Sequence, residues 1–163
     1  MNLSTLGSWG GYPFIDQGRS SYLITSENGF HLLMDAGSRA LNELEKELSP
    51  LELDAVIISH YHPDHVADLG VLRHYRQLYP KQLWDAKVLP IYAHNEDQGE
   101  FAKLSLADVS QGVAYNVEAG QTIGPFDITF IKTLHPVICY SFRIRERQTG
   151  QDLVFTADTG YFE

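Results

Sequence analysis

His60-Tyr61-His62-Pro63-Asp64-His65 follows the apolar run Ala55-Val56-Ile57-Ile58. The run has the length and composition of a short buried strand. Three imidazoles and a carboxylate at the end of such a strand serve no packing purpose. Pro63 disfavours the α region for His62, which places the outer histidines in an extended turn and not on one helix face. In that turn His60 and His62 can reach one cation while Asp64 and His65 are aimed at a second. Neutral imidazole nitrogen and carboxylate oxygen are donors that zinc accepts in catalytic sites. A solvated polar loop is the alternative, and the clustering of metal-capable residues argues against it.

Upstream, Asn2 to Leu6 reads as a strand and Gly7 to Pro13 as a loop punctuated by glycine and proline. Ser21 to Thr25 and Phe30 to Met34 read as strands joined through Asn28-Gly29. Asp35-Ala36-Gly37 ends the second of them. Ser38 is then placed to cap a helix with Leu41, Leu44 and Leu48 on its apolar face, stopped by Ser49-Pro50. Downstream, a helix is expected from about Asp64 through Leu69, Leu72, Tyr75 and Leu78 to Pro80. Val88 to Ala93 reads as a strand, Glu96 to Leu104 as helical, and Gly112 to Val117 as extended. Phe126 to Leu134 alternates like a strand, and Cys139 to Arg145 pairs with Leu153 to Thr156 around Gln148-Thr149-Gly150. No repeat or linker interrupts this order, so residues 1–163 read as one mixed α/β domain.

Two of these strands end in further candidate ligands. His135, held extended by Pro136, follows Leu134, and Asp158 follows the run that closes at Ala157. Three elements ending in donors can converge at one rim of a sheet.

Composition bounds the partners. The 163 residues carry a net charge of −9, which argues against a broad basic face for nucleic acid. It leaves open a small anionic substrate, because divalent cations reverse the local field. No apolar run is long enough to span a membrane. The N-terminus lacks the basic and apolar regions of a secretory signal, and the single Cys139 excludes an internal disulfide, so a cytoplasmic protein is expected.

Asp35, the run His60 to His65, His135 and Asp158 occur in an order that resembles the metallo-β-lactamase superfamily, across the whole chain. The resemblance implies an αββα sandwich with its metal site at one edge of the two sheets. By that likeness His60, His62 and His135 bind one zinc, Asp64 and His65 bind another, and Asp158 bridges them, with Mn2+ or Fe2+ as alternative metals. Asp35 would orient the motif loop from behind. His62, where oxygen-dependent members carry Glu, favours hydrolysis. The opening Gly7 to Pro13, Arg19 to Leu23, and His135-Pro136 followed by Tyr140 are similar to the ribonuclease Z and phosphodiesterase-like branch. The implied activity is hydrolysis of a phosphodiester by a metal-bound hydroxide, with Asp64 or Asp158 accepting a proton. An ester or thioester is the second substrate class, and a catalytically inactive or partner-dependent metal-binding module is the rival reading.

The chain departs from that pattern in two places. The stretch between His135 and Asp158 must hold two strands and leaves no room for a tRNA-gripping arm, so tRNA 3'-processing is disfavoured. A last histidine ligand, expected well after Asp158, is absent from a chain that ends at Glu163. The expectation is therefore the N-terminal and central portion of the sandwich, with its C-terminal half incomplete and exposed edges that favour a homodimer. Among the other candidates, His94 ends a strand and can line the pocket. His31 and His74 read as structural or solvated, Cys139 as a small buried hydrophobe, and Gly7, Gly10 and Gly11 as a backbone passing close to the metal rim.

Overall fold

Two β-sheets stack face to face, and helices cover the outer side of the first. A computed structural model describes residues 1–11, 14–79 and 87–161. The Pro13 end of the first loop, the Pro80 helix stop and the last residue, Glu163, lie outside the described residues. The first sheet runs in sequence order through β1 (Asn2–Gly7), β2 (Ser21–Thr25), β3 (His31–Met34), β4 (Ala55–Ile57), β5 (Leu89–Ala93) and β6 (Ser110–Ala114). Its first three strands are antiparallel, and β3 to β6 are parallel. The second sheet is antiparallel, in the order β10 (Asp152–Phe155), β9 (Tyr140–Glu146), β8 (Phe126–Lys132), β7 (Gln121–Ile123).

The alternation in β8 and β9 decides how the sheets meet. Phe126, Ile128 and Phe130 of β8 and Tyr140, Phe142 and Ile144 of β9 point inward, onto Ile24, Leu32, Met34, Ala55 and Ile57 of the first sheet. Each such side chain contributes roughly 1.5–3 kcal/mol when fully buried. The central strands β3 and β4 are covered on both faces, which is why they read as continuous apolar runs and not as alternation. Leu33, Val56 and Ile58 face the other way. They pack with Leu41 and Leu44 of α1 (Ala40–Glu47), Leu69 and Leu72 of α3 (Leu69–Leu78), and Leu104. Val66 of α2 (Pro63–Val66) and Phe101 of α4 (Gln98–Ala102) join this cluster from its margin. Three layers of the expected four-layer sandwich are thus present, helix on sheet on sheet. Among the described residues no helix covers the outer face of the second sheet.

Four local expectations need correction. The N-cap of α1 is Arg39 in the left-handed region, not Ser38, and its orphan amides are served from elsewhere: the Leu41 N–H donates to the Asp68 carboxylate at 3.1 Å. The single helix expected after Asp64 breaks into α2 and α3. The Asp68 N–H leaves the helical ladder to donate to the Ala36 carbonyl at 3.0 Å. On α3 the buried position near the C-terminus belongs to Arg76, which donates to the Pro50, Leu51 and Lys87 carbonyls, while Leu78 is exposed. Lastly, β6 covers Ser110–Ala114 and not Gly112 to Val117, and β7 is a strand too short to carry a periodic signal. Residues Pro50–Glu52 form a 3-10 turn in which Ser49 and Glu52 make a capping box.

Candidate metal centre

Four strand ends and the short helix α2 meet at one rim. Asp35 follows β3, His60 follows β4, His62 precedes α2, Asp64 and His65 lie on α2, His135 follows β8, and Asp158 follows β10. Every donor of the predicted set is brought there. His62 sits at φ −63° and ψ 145°, the extended geometry that Pro63 imposes, so α2 starts only after it. Donor atoms of His60, His62, His135 and Asp158 all lie within 4.8 Å of one another, and so do those of Asp64, His65 and Asp158. Asp158 is common to both groups.

The ring orientations follow from the hydrogen bonds behind them. His60 turns Nδ1 to the Ser59 hydroxyl at 3.0 Å, leaving Nε2 at 3.1 Å from His62 Nδ1. His135 Nε2 is 3.0 Å from the same His62 nitrogen. His65 directs Nδ1 to the Asp35 carboxylate at 2.7 Å, so Nε2 faces Asp158 at 3.4 Å and Asp64 at 3.8 Å. Burial, and then the neighbouring imidazoles of His65, His62, His135 and His94, push the pKa of His60 down to about 2. Burial opposes charge on His65 too, but the Asp35 hydrogen bond and the Asp35, Asp158 and Asp64 charges outweigh it and raise its pKa.

This donor set fits divalent metal. Ligand nitrogens 2.0–2.1 Å from one tetrahedral zinc lie roughly 3.3 Å apart, close to the spacings among His60, His62 and His135. Three imidazole nitrogens so close cannot all satisfy one another by hydrogen bonds, since His60 already uses its Nδ1 on Ser59. A shared cation would take up the converging lone pairs. On the other side, two carboxylates and one imidazole suit a second cation.

Support for the site comes from short polar and steric contacts. Asp35 is fully buried and accepts from the Ser59 N–H and the Ser59 hydroxyl, both at 2.8 Å, as well as from His65. One carboxylate thus fixes His65 directly and His60 through Ser59. The Ala36 N–H donates to the His65 carbonyl at 2.7 Å. A Cβ on Gly37 would lie 2.1 Å from the Asp64 carbonyl oxygen, so only glycine lets the two loops touch. The Gly11 N–H donates to Asp64 Oδ2 at 3.1 Å, in keeping with the expected approach of the glycine loop. Asp35 and Ala157 both have positive φ, 55° and 52°, a strain tolerated beside the site.

Two cavities flank the donors. One of about 220 Å³ is walled by Tyr61, His62, His94, Val137 and Ile138, with Asp97 and Glu100 at its edge. One of about 190 Å³, on the Asp64, His65 and Asp158 side, is walled in part by Ser8, Trp9 and Ser20. His94 therefore does line a pocket. Cys139 is buried as expected, yet its Sγ lies 3.5 Å from His60 Nδ1. Ser59, Cys139 and Tyr61, whose hydroxyl donates to the His94 carbonyl, were not legible as site residues. The only hint at Ser59 is a polar residue closing an apolar run. His74 is exposed, and His31 pairs with the Thr25 hydroxyl away from the site.

This fold and rim define a class of protein, and comparison with known proteins agrees. Residues 15–163 match the Metallo-beta-lactamase superfamily, and the chain belongs to it. It is 40% identical to the "Probable metallo-hydrolase YhfI" of Bacillus subtilis, over 99% of this chain and 65% of that protein. The crystal structure of that metallo-beta-lactamase fold protein superposes with a TM-score of 0.91, at 39% identity over 99% of this chain and 63% of that one. The chain thus spans less than two thirds of this relative. The exodeoxyribonuclease WalJ of Streptococcus pneumoniae is 30% identical over 88% of this chain and 51% of its own length. Human tRNase Z, short form, shares the fold with a TM-score of 0.72 at 17% identity, over 97% of this chain and 69% of its own.

Proposed function

We propose that this chain carries the catalytic centre of a zinc-dependent phosphodiester hydrolase. The observation that carries the reading is the convergence of six donors into two groups sharing Asp158. In this reading His60, His62, His135 and Asp158 hold one divalent ion, and Asp64, His65 and Asp158 hold the other. Ions bound there supply an acidified water near neutral pH and withdraw charge from the scissile phosphate. The protein's own part is orientation. Asp35 keeps His65 on its Nδ1–H tautomer, and Ser59 keeps His60 on its own, so both Nε2 atoms face the centre. In this reading Asp64 or Asp158 takes a proton from the attacking water. The phosphodiester class is supported by the exodeoxyribonuclease relative, while the net charge of −9 favours a small substrate over a long polyanion.

The test is hydrolysis of bis(p-nitrophenyl) phosphate by the zinc-loaded chain and by His62→Ala. Turnover lost in the variant is the expected result. Failure of the zinc-loaded chain to turn over this ester, or equal turnover in both proteins, would contradict the reading.

A further inference from the structure

We propose that the cavity beside His62 takes a compact, amine-bearing organic group of the substrate and excludes a second phosphate. This rests on reading the centre as a phosphodiester hydrolase. At about 220 Å³ the cavity is smaller than the ~300–1,000 Å³ of pockets that enclose a whole drug-sized ligand. It has room for one substituent next to the scissile bond. His62 forms part of its wall, so whatever fills it is contiguous with the donor cluster.

The chemistry of the wall selects the occupant. Val137 and Ile138 are apolar, and the Tyr61 and His94 rings lie 4.6 Å apart as an aromatic side. His94 is buried, and its ring nitrogens make no well-formed hydrogen bond among the described residues. Burial also disfavours its charged form, so this wall offers no fixed cation. Two carboxylates stand at the edge. Asp97 uses Oδ1 to accept the Glu100 N–H at 3.0 Å and cap α4, and Glu100 reaches Lys103 at 2.6 Å. Among the described residues no lysine or arginine lines the cavity. The nearby Lys132 is paired with Glu96 at 3.0 Å. A phosphate needs several cationic or N–H donors, and among the described residues the wall offers only imidazole N–H groups, opposed by the two carboxylates. An ammonium or amino group finds a carboxylate and an aromatic face.

Asp97→Asn isolates the charge, because asparagine caps a helix as well as aspartate does. The zinc-loaded chain and this variant are titrated by calorimetry with phosphocholine, cytidine 5'-monophosphate, thymidine 5'-monophosphate and thymidine 3',5'-bisphosphate. The expected result is that at least one amine-bearing ligand binds roughly three- to tenfold tighter than thymidine 5'-monophosphate. The bisphosphate binds more weakly than the monophosphate, and Asp97→Asn removes both differences. A preference for phosphocholine identifies an ammonium group, and a preference for cytidine a nucleobase amine. Equal affinities, no binding, or preferences unchanged in the variant overturn the proposal. Turnover of bis(p-nitrophenyl) phosphate is read on the same samples. Turnover without the preference overturns the pocket assignment alone, and the preference without turnover overturns the hydrolase reading alone.

Discussion

The fully buried Asp35 carboxylate accepts from the Ser59 N–H, the Ser59 hydroxyl and His65 Nδ1. An amide in its place presents an N–H₂ to one of these donors. Asp35→Asn is therefore expected to retain metal but to bind it about 10–100-fold more weakly, measured by competition with a chelator. Affinity equal to that of the wild type would remove Asp35 from its orienting role. At this scale the donors were legible because histidine clusters are rare and Pro63 fixes their local geometry. Ser59 and Cys139 were not, since a serine or cysteine at a strand end takes its meaning from neighbours distant in sequence. His94 was legible only as the end of a strand. What it does depends on Tyr61 and on the Val137-Ile138 segment, which the fold brings beside it.

Between elements, the Asp35-Ala36-Gly37 turn holds the motif helix by backbone contact. A methyl on Gly37 would strike the Asp64 carbonyl oxygen and the Arg19 Cβ. Gly37→Ala is expected to cost about 1–3 kcal/mol of stability in urea unfolding and to weaken metal binding through Asp64. An unchanged midpoint would show that the two loops part without cost. At the far end of the second sheet, the Glu146 carboxylate accepts from the Thr149 hydroxyl, then the Glu27 N–H, and pairs with the N-terminal ammonium of Met1, which lowers its pKa. A lowered folded pKa gives stability that is full above the ordinary carboxylate value and lost as pH falls through the folded one. Glu146→Gln should thus be less stable than wild type at neutral pH, with the gap closing in acid. Parallel urea melts at the two pH values check this, and a gap that widened in acid would contradict it. The strands were legible from alternation in β8 and from the apolar runs of β3 and β4. The break between α2 and α3 was not, because the Ala36 carbonyl that captures the Asp68 N–H belongs to a different part of the chain.

Across the whole molecule, an acidic chain assembles a rim of imidazoles and carboxylates whose donor set suits divalent cations. The sandwich class was legible because motif order and strand order agree with each other. The long-range parallel pairing of β3 to β6 was not encoded in any local pattern, and the resemblance implied only the sandwich, not its strand order. Bound metal stabilises a fold by mass action, so chelator is expected to lower the melting temperature of metal-loaded protein and added zinc to restore it. A melting temperature indifferent to both would mean that the rim is satisfied without metal. The most direct test of the account is the metal content of the purified 163-residue chain, by elemental analysis beside His62→Ala. The account predicts about two zinc ions per chain, as expected of a two-metal site, and a clear loss in the variant. A chain that binds no metal, or a variant that keeps the wild-type content, would contradict it.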